Sequence, residues 1–159
     1  MIFVTIGTQQ QSFDRLFDYI NNLDTSEKII VQKGKNNYKL NENIISYDFL
    51  SYEDMEKNFK KARIIITHGG GGTIFKALKL NKKVIVVPRL AKYKEHINNH
   101  QLEFSMYLKQ KNYCFVVENE NEFKESLSKI DKHKFNKYIP HTEEFITNIE
   151  YELDKLLEE

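Results

Sequence analysis

Cysteine is almost missing from this chain. Cys114 stands alone, so no internal disulfide can form, and the surrounding run Tyr113-Cys114-Phe115-Val116-Val117 predicts a buried small hydrophobe in a reducing compartment. Two prolines and six glycines in 159 residues leave no room for a long disordered linker. No apolar stretch approaches the roughly 18 residues of a membrane span. The opening run from Met1 to Ile6 lacks the basic flank and the length of a signal peptide. Charge of one sign is not in excess either: 24 Lys and Arg face 23 Asp and Glu. No global field therefore draws the chain to nucleic acid or to an anionic bilayer, and any anion site must be local. Together these absences predict a cytoplasmic chain that would need something else to hold it at a membrane.

What is present fits one globular domain over residues 1–159, with 40% apolar and 30% charged residues. Short apolar runs alternate with segments of helical period. Ile2 to Ile6 reads as a strand, Ser12 offers an N-cap, and Phe13, Leu16, Phe17 and Ile20 recur at helical spacing. Lys28 to Gln32 and Asn43 to Phe49 read as further strands, and Ser51 with Asp54 forms a capping box for a helix to about Lys61. Arg63 to Thr67 carries three consecutive isoleucines, the pattern of a strand buried on both faces. A helix to Leu80 closed by Asn81, a strand at Val84 to Val87 stopped by Pro88, and a long helix from about His96 to Gln110 follow. Tyr113 to Val117 is the last strand, followed by helices near Asn121 to Ile130 and from about 141 to 158. This alternation predicts an α/β fold, a Rossmann-like parallel sheet flanked by helices, with ligands beyond the carboxyl ends of the strands.

The central feature is the run His68-Gly69-Gly70-Gly71-Gly72-Thr73 between the isoleucine strand and the next helix. Four glycines there cost conformational entropy, so the position calls for unusual φ angles and close approach of the backbone to another group. A phosphate suits the place: a helix starting near Gly72 and Thr73 aims its unpaired N–H groups and positive dipole end at the turn, with the Thr73 hydroxyl and the His68 imidazole as added donors. The competing reading is a tight turn that only lets the helix pack on the sheet. Two familiar phosphate motifs are excluded. No Gly-Lys-Ser/Thr ends the run, and Ile74 stands where a dinucleotide fingerprint has glycine.

The glycine run, with Val86-Val-Pro-Arg-Leu-Ala-Lys-Tyr-Lys-Glu-His96 and Asn99-His100-Gln101, resembles the donor-binding domain of glycosyltransferase family 28. The likeness starts at Phe3-Val-Thr-Ile-Gly-Thr8 with Phe13-Asp-Arg15 and runs to about Val117. It is similar to stand-alone versions of that domain: the soluble half of a two-subunit UDP-N-acetylglucosamine transferase of asparagine-linked glycosylation, and bacterial capsule or exopolysaccharide subunits. The resemblance implies the C-terminal half of a GT-B glycosyltransferase that uses a UDP-sugar, inverts the anomeric centre, and needs neither metal nor other cofactor. It implies that His68, Gly70, Gly71, Gly72 and Thr73 hold the diphosphate and stabilise the leaving group, and that Gly7 and Thr8 close over the donor. Phe49 and Leu50 would hold the uracil, Arg89 would lie beside the phosphates, and Asn99, His100 and Gln101 would face the sugar. The catalytic base would come from a membrane-associated partner subunit that brings a lipid-linked acceptor. One position departs from the pattern: Lys76 stands where the family has a glutamate that grips the ribose hydroxyls.

Other readings stay open at this point. Arg89, Lys92 and Lys94 make either an anion patch or a solvated loop. His96 and His100 have i, i+4 spacing but lack the glutamate of a His-Glu-x-x-His zinc site. The last helix places Phe145, Ile149, Leu153 and Leu156 on one stripe, which would pack on the parent sheet or dock the partner. An unpaired GT-B face would also support a homodimer of the isolated chain. A non-catalytic enhancer or nucleotide-sensing subunit and a UDP-sugar epimerase-like domain are the alternative functions.

Overall fold

The computed structural model describes residues 1–140, and the helix expected over about 141–158 lies outside them. The described chain forms β1 (Ile2–Thr5), α1 (Asp14–Asn21), β2 (Ile29–Gln32), β3 (Ile45–Tyr47), α2 (Tyr52–Lys61), β4 (Ile64–Thr67), α3 (Gly71–Lys79), β5 (Lys83–Val86), a short 3-10 turn (Ala91–Tyr93), α4 (His100–Gln110), β6 (Phe115–Val116) and α5 (Glu120–Lys129). All six strands are parallel, in the order β3-β2-β1-β4-β5-β6. The chain winds outward from β1 to β3, then returns to the other side of β1 to lay down β4. Adjacent β1 and β4 thus send their following loops to opposite faces, and their carboxyl ends open the crevice in which ligands of such sheets sit.

Unbroken apolar strands are explained by two cores, one on each face of the sheet. Ile64 and Ile66 point to one face with Ile2, Val4, Phe17 and Ile20, closed by Phe123 of α5. Ile65 and Phe3 point to the other, under Phe59 of α2, Ile74 and Ala77 of α3 and Leu108 of α4. Cys114 joins this second core, where burial pushes its thiol up to about 12 and removes any thiolate chemistry near neutral pH. No helix among the described residues is long and apolar enough to cross a membrane.

Several helix ends follow local rules and two do not. Ser51 Oγ accepts from the Asp54 amide at 3.1 Å, so α2 begins in the expected cap. Both α3 and α4 end on asparagines in the left-handed region, Asn81 (φ 53°) and Asn112 (φ 55°). The bonds Asn81 N to Leu78 O and Lys82 N to Ala77 O form a Schellman closure, repeated by Asn112 to Lys109 and Tyr113 to Leu108. Ser12, however, does not cap α1. Its hydroxyl pairs with the Asp14 side chain, and the helix is entered from Phe13, a wholly buried residue that anchors the turn by packing. The helix expected from His96 starts only at His100. Glu95 is buried and Lys94 adopts φ 58°, so the chain folds inward there before α4 can begin. His96 and His100 therefore do not share a helix face.

Phe59 carries much of the packing between α2 and the sheet, edge-on to Phe3 with ring centres 5.5 Å apart. Truncation by Phe59→Ala is expected to cost about 3–5 kcal/mol, read from urea unfolding. A loss under about 1 kcal/mol would show that α2 contributes little to the core.

Candidate functional site

The carboxyl ends of β1, β2 and β4 surround an open cleft of about 540 Å³. Its floor is polar although the strands are not. Thr5 and Gln32 end β1 and β2, both buried, with Thr5 Oγ1 donating to Gln32 Oε1 at 2.6 Å. Both line the cleft, and the sequence reading passed over them. The signal was a single polar residue closing an otherwise apolar strand, Ile-Phe-Val-Thr and Ile-Ile-Val-Gln.

His68 sits at the end of β4 and is nearly buried. The Thr67 hydroxyl donates to the Thr5 carbonyl at 2.9 Å, so the 3.2 Å contact between His68 Nδ1 and Thr67 Oγ1 assigns the ring proton to Nδ1. Nε2 is then an acceptor. Burial, and after it the charge of Arg89, pulls the imidazole down to about 4, so the ring is neutral at pH 7. The ring is packed between two backbone segments. A Cβ on Gly7 would lie 2.7 Å from His68 Cε1, and one on Gly70 would lie 2.3 Å from Nε2. Gly7 also has φ +73°, a conformation glycine adopts freely. His68 thus shapes the turn, and its neutral ring does not present the donor expected for a phosphate.

The glycines of the turn divide by cause. None of Gly69 to Gly72 has positive φ, contrary to the expectation of unusual backbone angles. Gly69 and Gly70 are required by close packing, on Gln101 and on His68. Gly71 would make only ordinary contacts, nearest Phe104 at 3.5 Å, and a Cβ on Gly72 would meet nothing within 4 Å. Packing of the described residues therefore does not explain the absence of a side chain at Gly72. Helix α3 starts here, capped by Gly70, and its first amides have no partner within the helix. They face the cleft together with Thr73.

Gln101, in the first turn of α4, ties the site together. Its Oε1 accepts from Gly69 N at 3.1 Å and from Arg89 N at 3.3 Å, which leaves the amide NH2 as the end offered to the cleft. Gly7, Thr8, Phe49, Leu50, His68, Gly70, Gly71, Gly72, Thr73 and Gln101 all line this one cleft, with Gln9 and Met55. Three expected residues do not. Asn99 accepts from the Ala91 amide at 3.0 Å and so closes the loop before α4. His100 is exposed and contacts Glu103 at 3.2 Å. Arg89 is wholly buried beneath the cleft, which makes it neither a surface anion patch nor a solvated loop residue. Lys76 also turns away, pairing with Glu56 and lying over the rings of Tyr52 and Phe59 at 5.3 and 4.8 Å. A hollow of about 480 Å³ at the opposite ends of the strands is lined by Glu27 and Arg63, which pair with each other, Arg63 also reaching Asp131.

A parallel sheet of this order, with a glycine-lined helix N-terminus at its switch point, has the Rossmann-like fold of the C-terminal domain of GT-B glycosyltransferases. The chain belongs to the glycosyltransferase family 28 C-terminal domain family, whose model matches residues 1–157. It is 29% identical over 126 residues to the human (Homo sapiens) UDP-N-acetylglucosamine transferase subunit ALG13, covering 72% of this chain and 11% of that protein. It is 28% identical over 113 residues to the Candida albicans protein of the same name, covering 71% and 36%. The chain thus spans little more than a third of one relative and about a tenth of the other. Among solved structures, the NMR structure of ALG13 superposes with a TM-score of 0.59 at 18% identity, covering 87% of this chain and 89% of that one. MurG of Acinetobacter baumannii gives 0.56 at 17%, covering 79% and 40%. At these identities the likeness is one of fold.

Two outcomes test this account of the turn. Gly70→Ala is expected to destabilise the fold by about 1–3 kcal/mol through its clash with His68. Gly72→Ala is expected to be neutral or to stabilise by up to about 1 kcal/mol; equal losses in thermal unfolding would contradict the division. For His68 the folded pKa lies below the unfolded 6.5, so its contribution is intact above pH 6.5 and is lost as pH falls toward about 4. His68→Gln should flatten the stability profile in that window.

Proposed function

We propose that this chain is the donor-binding component of a two-part inverting glycosyltransferase that takes its sugar from a UDP-sugar. The observation that carries this reading is the empty space over Gly72 at the start of α3, where backbone amides and a helix dipole converge on a cleft built by β1, β2 and β4. In this reading the diphosphate sits on the amides of Gly71, Gly72 and Thr73. The base lies against Phe49 and Leu50, and the sugar reaches the Gln101 NH2. Gly7 and Thr8 form the facing wall.

The chemistry follows from that placement. An acceptor hydroxyl attacks the anomeric carbon, the bond from that carbon to the phosphate oxygen breaks, and UDP departs with the electron pair. The amides at the helix start stabilise the charge that develops on the leaving phosphate, without a metal ion. The base that takes the acceptor proton belongs to a second subunit. Support for a second subunit comes from the relatives, which are named as subunits. The partner would be membrane-associated and bring a lipid-linked acceptor, holding this chain at the cytoplasmic face. N-acetylglucosamine is the first sugar to test because both relatives are named as subunits of a UDP-N-acetylglucosamine transferase. The capsule and exopolysaccharide role has no counterpart in the names of those two proteins.

Calorimetric titration of the purified chain with UDP, ADP and GDP is the direct test. UDP is expected to bind in preference to the other two. Gly72→Val, which places a branched side chain in space that the described residues leave empty, is expected to abolish binding while circular dichroism and unfolding stay near those of the parent. UDP binding that survives Gly72→Val would place the ligand elsewhere and overturn the reading.

A further inference from the structure

Beneath the cleft lies a cluster of charges that the donor reading does not use. Arg15 of α1 grips Glu95 with two bonds, Nε to Oε1 at 2.9 Å and Nη2 to Oε2 at 2.8 Å, and Glu95 Oε2 also accepts from the Leu90 amide at 3.0 Å. The Glu95 carboxylate is thus engaged by Arg15 and by backbone. Arg89 takes no carboxylate in a hydrogen bond: its Nη1 donates to Gln11 O at 2.9 Å and to Ser12 O and Glu95 O at 3.2 Å, and its guanidinium lies over the Phe13 ring, 4.5 Å from the centroid. Its Nε and Nη2 are buried and have no partner among the described residues. Burial lowers the guanidinium to about 10, which still leaves it protonated at pH 7. Among the described residues two guanidinium groups therefore share one carboxylate, and the Phe13 ring under Arg89 offsets only part of the cost of burying the second positive charge.

The position of that charge follows from the sheet order. Arg89 leaves the end of β5, its backbone amide sharing the Gln101 oxygen with Gly69, and its tip reaches the loop after β1. Since β4 lies between β5 and β1, the side chain crosses the carboxyl end of β4, where His68 and the glycine turn sit. The charge of Arg89 is felt at His68, where it adds to burial in holding the imidazole down. We infer that Arg89 is the electrostatic floor of the anion subsite: a buried, only partly compensated cation whose charge a bound diphosphate neutralises across the glycine turn, without contact. This deepens the donor reading and rests on it for the diphosphate.

The test uses the full chain with three probes, inorganic pyrophosphate, UDP and uridine, and three variants. Arg89→Met removes the charge and keeps most of the volume, and is expected to weaken pyrophosphate and UDP roughly tenfold while leaving uridine unchanged. Arg89→Lys keeps the charge and should retain most of the affinity. Glu95→Gln removes the negative member and should hold or raise the preference for UDP over uridine. A merely structural cluster predicts the opposite pattern, with Arg89→Met and Glu95→Gln each losing uridine and UDP alike. That result, or an unaltered UDP-to-uridine ratio in Arg89→Met, overturns the inference. Pyrophosphate binding that depends on Arg89, with UDP no tighter than pyrophosphate, would sink the donor reading and leave the inference standing. Failure of the unmodified chain to bind either pyrophosphate or UDP would overturn it outright.

Discussion

At the switch point of the sheet, the imidazole of His68 is packed between the backbones of Gly7 and Gly70, and the rest of the site depends on that contact. It brings the loop after β1 against the loop after β4, so the cleft has two walls rather than one. A side chain on either glycine would push the ring out and part the walls. The same contact explains why His68 is neutral: a ring held in this slot is cut off from water and lies near Arg89. Constraint and electrostatics have one origin.

A second set of ties runs beneath this contact and joins elements remote in the chain. Arg15 on α1 reaches Glu95, Pro88 O and Glu118 O, linking α1 to the loops after β5 and β6. Gln101 fastens α4 to the glycine turn and to Arg89 through one oxygen. The loops that line the cleft are therefore cross-braced rather than free, as a site that must position a flexible anionic ligand requires. The first amides of α3 are the exception. They are left unpaired, and Gly72 leaves the space above them clear.

Much of the fold was legible because its signals are local. Three isoleucines in a row, Ser51 three residues before Asp54, and Asn81 after Leu80 act over a few residues and mean the same wherever they occur. The family resemblance rested on the glycine run and on the segment from Val86 to Gln101. The structure gathers ten of the residues it singled out in one cleft. The departures are instructive. Ser12 looked like a cap because it is the right residue type beside a helix, but burial of Phe13 governs the entry. Asn99 and His100 looked like ligands because they neighbour Gln101, yet only Gln101 faces the turn, since adjacent residues at a helix start point in different directions.

The sequence by itself determined that the sheet is parallel with its central strands buried, that helices cover both faces, and that a glycine-rich helix start lies at the carboxyl ends. Apolar periodicity and backbone punctuation are properties of neighbouring residues, so they can be read along the chain. Only the tertiary structure decided that Arg89 lies under the cleft rather than in it, that Thr5 and Gln32 pair on its floor, and that Lys76 turns to Glu56. The destination of a polar side chain is set by whichever partner the fold brings within hydrogen-bonding reach. For Arg89 that partner is Gln11, 78 residues away in sequence, which no local pattern could name.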